Sequence, residues 1–128
     1  MIPLLAKLSL ALMAFQIALA ASPQFDNLEL NTTTTREAEI PAILFKIAQC
    51  ESNNKQFVGS STSPESVIRG SITPTDIGKY QISEIYWGKK AKELGFDLFS
   101  ESGNTQMALW IYKKNGVKPW SSSKPCWK

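Results

Sequence analysis

The chain has 128 residues, of which 43% are hydrophobic and 20% charged, and this is the balance of one ordinary globular domain. Its 14 basic and 11 acidic residues give a net charge of +3, too weak a basic field to favour nucleic acid as a partner. The sequence contains no histidine, which excludes Ser-His-Asp and Cys-His catalysis and HExxH zinc sites, so carboxylates must supply any acid-base chemistry.

Residues 1–20 have the pattern of a secretory signal peptide. Lys7 precedes an apolar run from Leu8 to Ala18, and Ala18-Leu19-Ala20 fits a cleavage site after Ala20. We therefore expect a secreted, periplasmic or cell-envelope protein that meets the membrane only during export. The alternative is an uncleaved membrane anchor, although the apolar run is shorter than the roughly 20 residues that span a bilayer.

Residues 21–36 are polar and unpatterned, with little apolar area to bury, and we interpret them as a flexible linker. The remaining residues, 37–128, are assigned to one folded domain. We expect this domain to act as a monomer.

A first helix is predicted from about Ile40-Pro41 to Glu51. Proline is tolerated in the first turn of a helix and costly further inside it, which favours a start near Pro41. Ile40, Leu44 and Ile47 recur at steps of four and three, the period of a helix that faces a core. Glu51 is the next position on that face.

The region after the first helix predicts a small β-hairpin. Short apolar pieces at residues 57–59 and 66–70 are separated by glycine and serine, which is typical of short paired strands. Residues 73–76 then form a turn that leads into the segment 77–82.

Two further helices are predicted in the second half of the chain. Ser83 can cap a helix from Glu84 to about Leu94, after which a glycine ends it. A third helix begins at about residue 103 or 104 and stops at Asn115-Gly116. The rest of the chain is an aromatic tail.

Cys50 and Cys126 are the two cysteines of the sequence. In the oxidising compartment that export implies, we expect them to form a disulfide. Closing so long a loop contributes roughly 4 to 5 kcal/mol on a chain-entropy estimate, part of which native strain could cancel. The alternative is two separate buried thiols.

Glu51 is unusual because it continues an apolar face at the end of a helix. Partial burial penalises the charged form of a carboxyl group and raises its pKa, so the group can stay protonated near neutral pH. A glycosidic bond breaks when an acid protonates the departing oxygen, and a Glu of raised pKa fits that step. The alternative is that Glu51 extends into solvent beyond the last turn.

The sequence resembles the lytic transglycosylase family of the lysozyme-like superfamily in three segments that follow the family's order. Residues 47–52, Ile-Ala-Gln-Cys-Glu-Ser, resemble the helix-ending Glu-Ser of the family. Residues 78–82, Gly-Lys-Tyr-Gln-Ile, resemble its Gly-Leu-Met-Gln-Ile motif. Gly103-Asn104 with residues 108–112 is similar to its later helix, whose Ala and Tyr face the active site. The match spans roughly residues 40 to 116.

The resemblance implies an α+β, mostly α fold of lysozyme type, with a small β-hairpin after the catalytic helix. It also implies that Glu51 is the catalytic acid and that Tyr112 orients its carboxyl. Ser52 and Gln81 would hydrogen-bond near the bound sugar.

Two other positions in the second segment are candidates for contact with substrate. Gly78 lacks a Cβ, so that a sugar ring or a neighbouring chain can approach its backbone closely. Tyr80 could stack on a sugar, but a buried core aromatic fits the pattern equally well. For Trp87 and Trp110, core packing is the expected role and a carbohydrate groove the alternative.

The implied reaction cleaves the β-1,4 bond between N-acetylmuramic acid and N-acetylglucosamine in peptidoglycan glycan strands. Glu51 acts first as acid and then as base, and the product carries a 1,6-anhydro end. The resemblance implies no metal and no cofactor.

Two alternative functions remain open at the level of the sequence. A hydrolase of lysozyme type would use water and a second carboxylate, for which Glu65 and Asp76 are the candidates. A catalytically silent wall-binding protein would keep the fold without turnover. Its support is the departure from the family pattern at Lys79-Tyr80, where Leu-Met is usual, and at Lys113, where Asn is common.

Overall fold

A computed structural model describes residues 38–128 of the chain. The predicted signal peptide and linker, residues 1–20 and 21–36, lie outside the described residues. The elements follow in the order α1 (Ala42–Ser52), a 3₁₀ turn (Pro64–Ser66), β1 (Asp76–Ile77), β2 (Ile82–Ser83), α2 (Glu84–Glu93), α3 (Glu101–Asn115), a 3₁₀ helix (Lys118–Ser123) and α4 (Lys124–Trp127). The domain is therefore mostly helical with one small antiparallel sheet, and the predicted α+β, mostly α class is confirmed at that level.

The apolar face of α1 forms one side of the hydrophobic core. Leu44, Ile47 and Ala48 are completely buried, as the helical spacing predicts. Pro41 occupies the N-cap position and the helix begins at Ala42, one residue later than the predicted start. The core is completed by residues from the later elements and the loops between them, chiefly Ile77, Tyr80, Ile82, Leu98, Met107, Ile111 and Trp120.

The two-stranded sheet is formed by residues later in the chain than the hairpin expected from sequence. Asp76 pairs with Ser83 and Ile77 with Ile82, and residues 78–81 form the loop between the strands. The expected hairpin at 57–59 and 66–70 is reduced to the single bridge between Phe57 and Val67. These pieces lack the alternating apolar residues that fix a longer register.

Serine side chains fix the starts of α2 and α3. The Ser83 hydroxyl accepts a hydrogen bond from the Tyr86 amide, so the predicted cap is confirmed and α2 begins at Glu84. The Ser100 hydroxyl accepts from the Gly103 amide, and α3 therefore begins at Glu101, two or three residues earlier than expected. An unsatisfied helix amide gains a partner in each case.

The C-terminal residues 118–127, which we call the C-terminal clamp, fold back onto α1. They form the 3₁₀ helix and α4, each with a proline in its first turn, where a missing amide costs nothing. The predicted disulfide between Cys50 and Cys126 is present, with the two Cα atoms 6.0 Å apart.

Within residues 38–128, no helix combines the length and the apolar character needed to cross a bilayer.

Candidate active site

Glu51 lies in the last turn of α1, where the helix ends abruptly. Asn53 and Asn54 both adopt left-handed backbone conformations, with φ of 55° and 61°, and their amides donate to the carbonyls of Gln49 and Ala48. These bonds satisfy carbonyl groups that a helix end leaves unpaired. The Glu51 side chain is half-buried, so it is neither fully exposed to solvent nor part of the core.

The Glu51 side chain lines a small polar cavity, which we call the Glu51 recess. Its volume is about 110 Å³. The walls come from α1, the hairpin, α2, α3 and the C-terminal clamp, and the lining residues are Glu51, Asp76, Gln81, Ile82, Ser83, Trp87, Ile111, Pro119, Trp120 and Ser122. Two carboxyl groups, one side-chain amide and two hydroxyl groups thus meet in one cavity, the set of groups that orients a polar ligand.

Burial raises the pKa of Glu51 above its ordinary value of 4.5, because the charged form loses its water. The hydrogen bond from Ser123 acts in the opposite direction and lowers the pKa. The negative charge of Asp76 adds to the effect of burial and raises the pKa. A raised pKa keeps the proton on this carboxyl at higher pH, as a general acid requires.

Asp76 begins β1 and brings a second carboxyl group to the recess. Burial raises its pKa above the ordinary value of 3.8. The other sequence candidate for a second carboxylate, Glu65, lies exposed in the 3₁₀ turn, and its pKa is lowered by hydrogen bonds from its own backbone and from Ser63. Of the two candidates, Asp76 is the one that the fold places beside Glu51.

Gln81 lines the recess from the hairpin loop. Its φ of 47° places a residue other than glycine in the left-handed region, at a cost of order 1 to 2 kcal/mol. Its side-chain amide donates to the Gly78 carbonyl at 2.9 Å, which holds the side chain against its own loop. Backbone strain retained at a cavity wall is typical of functional positions.

Ser52 and Gly78, expected to face substrate, make contacts within the protein. The Ser52 hydroxyl donates to the Lys79 carbonyl at 2.7 Å and so ties the end of α1 to the hairpin loop. A Cβ at Gly78 would lie 2.5 Å from Gln56 Oε1 and 2.6 Å from Asn104 Nδ2, so two buried side chains occupy the space that the glycine leaves. Both residues shape the loop that carries Gln81.

Buried amide side chains hold the same loop in place. Gln56 Oε1 accepts from the Lys79 amide at 2.8 Å, and Asn104 Oδ1 accepts from the Tyr80 amide at 3.1 Å. Asn104 also donates to the Ile77 carbonyl at 2.9 Å. Asn104 belongs to the third segment of the sequence resemblance, whereas Gln56 gave no signal in the sequence.

The two tyrosines expected near the substrate are not among the residues that line the Glu51 recess. Tyr80 is a core residue with only 1% of its surface exposed. Of the two roles that the sequence allowed, it has that of a buried core aromatic, and no ring face is left for a sugar. Tyr112 packs partly buried against the core, and among the hydrogen bonds of residues 38–128 it has none to Glu51. The hydroxyl that contacts Glu51 belongs to Ser123, and the α3 residue that lines the recess is Ile111.

Ser123 is the site residue that sequence analysis missed. Its hydroxyl lies 2.5 Å from Glu51 Oε1 although the two residues are 72 positions apart. The clamp is held in place by Trp120, whose indole Nε1 donates to the Tyr80 carbonyl at 2.9 Å. A signal existed in the sequence: pairing Cys126 with Cys50, the neighbour of Glu51, brings the preceding serines close to that carboxyl.

A second cavity adjoins the Glu51 recess, and we call it the Tyr86 pocket. Its volume is about 460 Å³, and it is lined by Ser83, Tyr86, Trp87, Asn115, Lys118 and Pro119. Ser83, Trp87 and Pro119 line both cavities, so the two lie side by side. Trp87 contacts Tyr86 edge-on at 4.7 Å and Trp110 at 6.2 Å between ring centroids. Trp87 therefore combines the packing role expected of it with a place on the cavity wall.

A mostly apolar cavity of about 400 Å³ lies between α2 and the turn that follows it. Neither Glu51 nor Asp76 lines it, which makes it a weaker candidate for acid-base chemistry. In the part of the chain that the structure describes, cysteine and acidic side chains do not gather in groups of three or more that could hold a metal ion.

No family model, curated protein or solved structure matches the chain. The likeness to lytic transglycosylases therefore rests on the three segments quoted above.

Proposed function

We propose that this chain is an exported lytic transglycosylase of lysozyme-like fold, which cuts peptidoglycan glycan strands with Glu51 as its catalytic acid. The observation that carries the proposal is the half-buried Glu51 carboxyl, raised in pKa, in the wall of a polar recess. Glycosidic cleavage requires such a group because the departing oxygen must receive a proton. The choice of peptidoglycan as substrate comes from the three segments of sequence resemblance.

In the proposed reaction, Glu51 gives its proton to the oxygen between N-acetylmuramic acid and N-acetylglucosamine, and the bond from that oxygen to C1 of the muramic acid breaks. The N-acetyl oxygen of the substrate stabilises the positive charge on the ring. The Glu51 carboxylate then removes the proton of the C6 hydroxyl, whose oxygen bonds to C1 and closes the 1,6-anhydro ring. Glu51 regains its proton, so the cycle consumes no water and uses no cofactor.

The sizes of the two cavities suggest how a glycan strand would lie. Ligand pockets usually enclose about 300 to 1,000 Å³, whereas the Glu51 recess encloses about 110 Å³. Only the reacting part of the substrate fits there, so the flanking sugars must lie outside. The Tyr86 pocket continues the recess along Trp87, and aromatic rings of this kind stack on sugar faces.

Two of the three positions that supported a silent wall-binding protein, Lys79 and Tyr80, have structural explanations. Lys79 forms an ion pair with Glu101 at 3.0 Å, and Tyr80 fills the core. Neither side chain lines the Glu51 recess. Their departure from the family pattern therefore takes away no group that the proposed chemistry uses.

A hydrolase that uses water is the second candidate, and the position of Asp76 favours it. Hydrolysis by two carboxylates needs a second acid near the first. Asp76 lines the Glu51 recess, and its charge acts on Glu51. Both candidates share the first step, protonation of the glycosidic oxygen by Glu51, and they differ in whether the C6 hydroxyl or a water molecule attacks C1.

Digestion of purified peptidoglycan, followed by mass analysis of the fragments, tests the proposal. We expect 1,6-anhydro products, one water lighter than the products of hydrolysis. Glu51→Gln should abolish cleavage, because the amide keeps the shape of the side chain but has no acidic proton to give. Glu65→Gln is the matched control, since Glu65 is exposed and lies away from the recess. Equal cleavage by the protein and by Glu51→Gln would refute the proposal, and products heavier by one water would identify the hydrolase.

A further inference from the structure

We infer that Ser123 is the positioning residue of the catalytic carboxyl, with a hydroxyl that holds Glu51 in both of its protonation states. The inference deepens the proposed function and rests on it, because it assigns a partner to the acid that the reaction uses. The observation behind it is the 2.5 Å contact between Ser123 Oγ and Glu51 Oε1.

The surroundings of the Ser123 hydroxyl can be accounted for atom by atom. Trp127 Nε1 lies 3.0 Å away and, as an indole nitrogen, can only donate, so it uses one lone pair of Oγ. The Trp120 carbonyl, 3.1 Å away, can only accept. The hydroxyl therefore has one proton, one free lone pair and two acceptors within reach, the Trp120 carbonyl and Glu51.

These partners satisfy Glu51 whether or not it carries a proton. When Glu51 is ionised, the Ser123 hydroxyl donates to Glu51 Oε1. When Glu51 is protonated, its O–H can donate to the free lone pair of Ser123 Oγ, and the serine proton turns to the Trp120 carbonyl. Rotation of one hydroxyl group converts one arrangement into the other, and Ser123 keeps its own proton throughout.

Such a partner suits an acid that becomes a base within one cycle. Glu51 would lose its proton to the glycosidic oxygen and regain one from the C6 hydroxyl, and the carboxyl must keep its orientation across both steps. A hydroxyl that can either donate or accept permits this, whereas a fixed donor would favour the ionised form alone.

The position of Ser123 depends on the rest of the C-terminal clamp. Trp127 donates to both Ser123 Oγ and the Trp120 carbonyl, the latter at 3.2 Å. The disulfide joins Cys126 to Cys50, the residue that precedes Glu51. Both sides of the contact between Ser123 and Glu51 are therefore anchored within a few residues.

The charges around the contact set the direction of the effect on titration. Asp76 of β1 is the one charged side chain besides Glu51 among the residues that line the recess, and its charge raises the pKa of Glu51. The Ser123 hydroxyl can partner both forms of Glu51, but its bond to the ionised carboxylate is charge-assisted and is therefore the stronger of the two, so that it lowers that pKa. Removing the hydroxyl should therefore raise the pKa of Glu51 further.

The test is Ser123→Ala, with Ser123→Thr as the conservative variant that keeps a hydroxyl group. Ser121→Ala is the matched control, because Ser121 is an exposed serine of the same 3₁₀ helix. We expect Ser123→Ala to raise the pKa of Glu51, read from its side-chain carbon by NMR titration. We also expect the high-pH limb of the activity profile to move to higher pH and kcat to fall by about 10- to 100-fold. Ser123→Thr should restore most of both properties.

The two readouts separate this inference from the proposed function. The pKa of Glu51 can be measured in a protein that cleaves nothing, so loss of the proposed function would appear as absent cleavage in the unchanged protein. The inference is overturned if Ser123→Ala leaves the pKa of Glu51 and the high-pH limb unchanged. It is also overturned if the control Ser121→Ala shifts them as much as Ser123→Ala does. A fall in melting temperature and kcat without a shift of the pH limb would likewise overturn it, because that result describes a merely structural serine.

Discussion

Asp76 lies in the same recess as Glu51, and its negative charge raises the pKa of the Glu51 carboxyl. Two acids that share a cavity oppose each other's ionisation, since like charges repel. Burial also raises the pKa of Asp76 itself. The pair therefore holds a proton at higher pH than two isolated carboxyl groups would.

Replacing Asp76 by Asn should lower the pKa of Glu51. The amide keeps the size of the side chain and removes the charge, so the remaining influences on Glu51 are its burial and the Ser123 hydrogen bond. We expect the high-pH limb of kcat/KM to move to lower pH and the NMR titration of Glu51 to move with it. Asp97→Asn, at an exposed position away from the recess, is the control. An unmoved Glu51 titration in Asp76→Asn would show that the two charges do not interact.

The raised pKa of Glu51 makes folding stability depend on pH. Because the folded pKa lies above the ordinary value of 4.5, the protonated form favours the folded state. The contribution of Glu51 is fully present below about pH 4.5 and is lost as pH rises through the folded pKa. Glu51→Gln removes this dependence and should gain stability relative to the unchanged protein as pH increases. Urea unfolding of both proteins at pH 4 and pH 7 measures this gain. If the two proteins differ in free energy of unfolding by the same amount at both pH values, the raised pKa of Glu51 is contradicted.

The helices of the domain could be predicted because local signals place their ends. The apolar spacing of Leu44 and Ile47 predicted the buried face of α1, and Ser83 predicted the start of α2. α3 starts earlier than its apolar pattern predicts because Ser100 caps it. The sheet was misplaced because the pairing of Ile77 with Ile82 depends on a tight loop held by distant amides.

The candidate site could be predicted only where its residues are near one another in sequence or belong to a pattern. Glu51 and Gln81 are of this kind, and both line the recess. Ser123 was missed because its contact with Glu51 spans 72 residues and depends on folding of the C-terminal clamp. The core location of Tyr80 also depends on tertiary packing, since an aromatic residue in a loop pattern fits either role.

Removing the disulfide should destabilise the domain and disturb the site together. Cys50 and Cys126 are separated by 76 residues, and cross-links of this kind typically contribute about 2 to 5 kcal/mol. The double variant Cys50→Ser/Cys126→Ser should lose a free energy of unfolding in that range and most of its activity, because the clamp carries Ser123. A reducing agent should bring the unchanged protein to the same stability and leave the variant unaffected. Recovery of two free thiols from protein purified without a reducing agent would rule out this role of the disulfide.

Tyr86→Ala should weaken substrate binding with little effect on the chemical step. Tyr86 lines the pocket beside the recess and is 75% exposed, so its removal should cost little stability. Loss of one stacking ring predicts a rise in KM of roughly two- to tenfold with kcat largely retained. Ile85→Ala is the control, because Ile85 is the preceding residue of α2 and does not line the pocket. Steady-state kinetics on soluble glycan fragments measures KM and kcat for both variants. Equal KM values for the two variants would show that the Tyr86 pocket does not bind substrate.

Gly78→Ala and Gly59→Ala separate two reasons for keeping a glycine. Both residues have positive φ, 74° and 68°, so alanine should cost about 1 to 2 kcal/mol at either position from backbone conformation alone. At Gly59 a Cβ would meet nothing within 4 Å, whereas at Gly78 it would collide with Gln56 and Asn104.

The collision should add about 1 to 3 kcal/mol at Gly78, since both neighbours are buried and engaged in hydrogen bonds to the loop. We therefore expect Gly78→Ala to unfold at clearly lower denaturant concentration than Gly59→Ala and to lose activity through displacement of Gln81. Equal loss of stability in the two variants would show that the amides yield at little cost, and the loop that carries Gln81 would then owe its shape to backbone conformation alone.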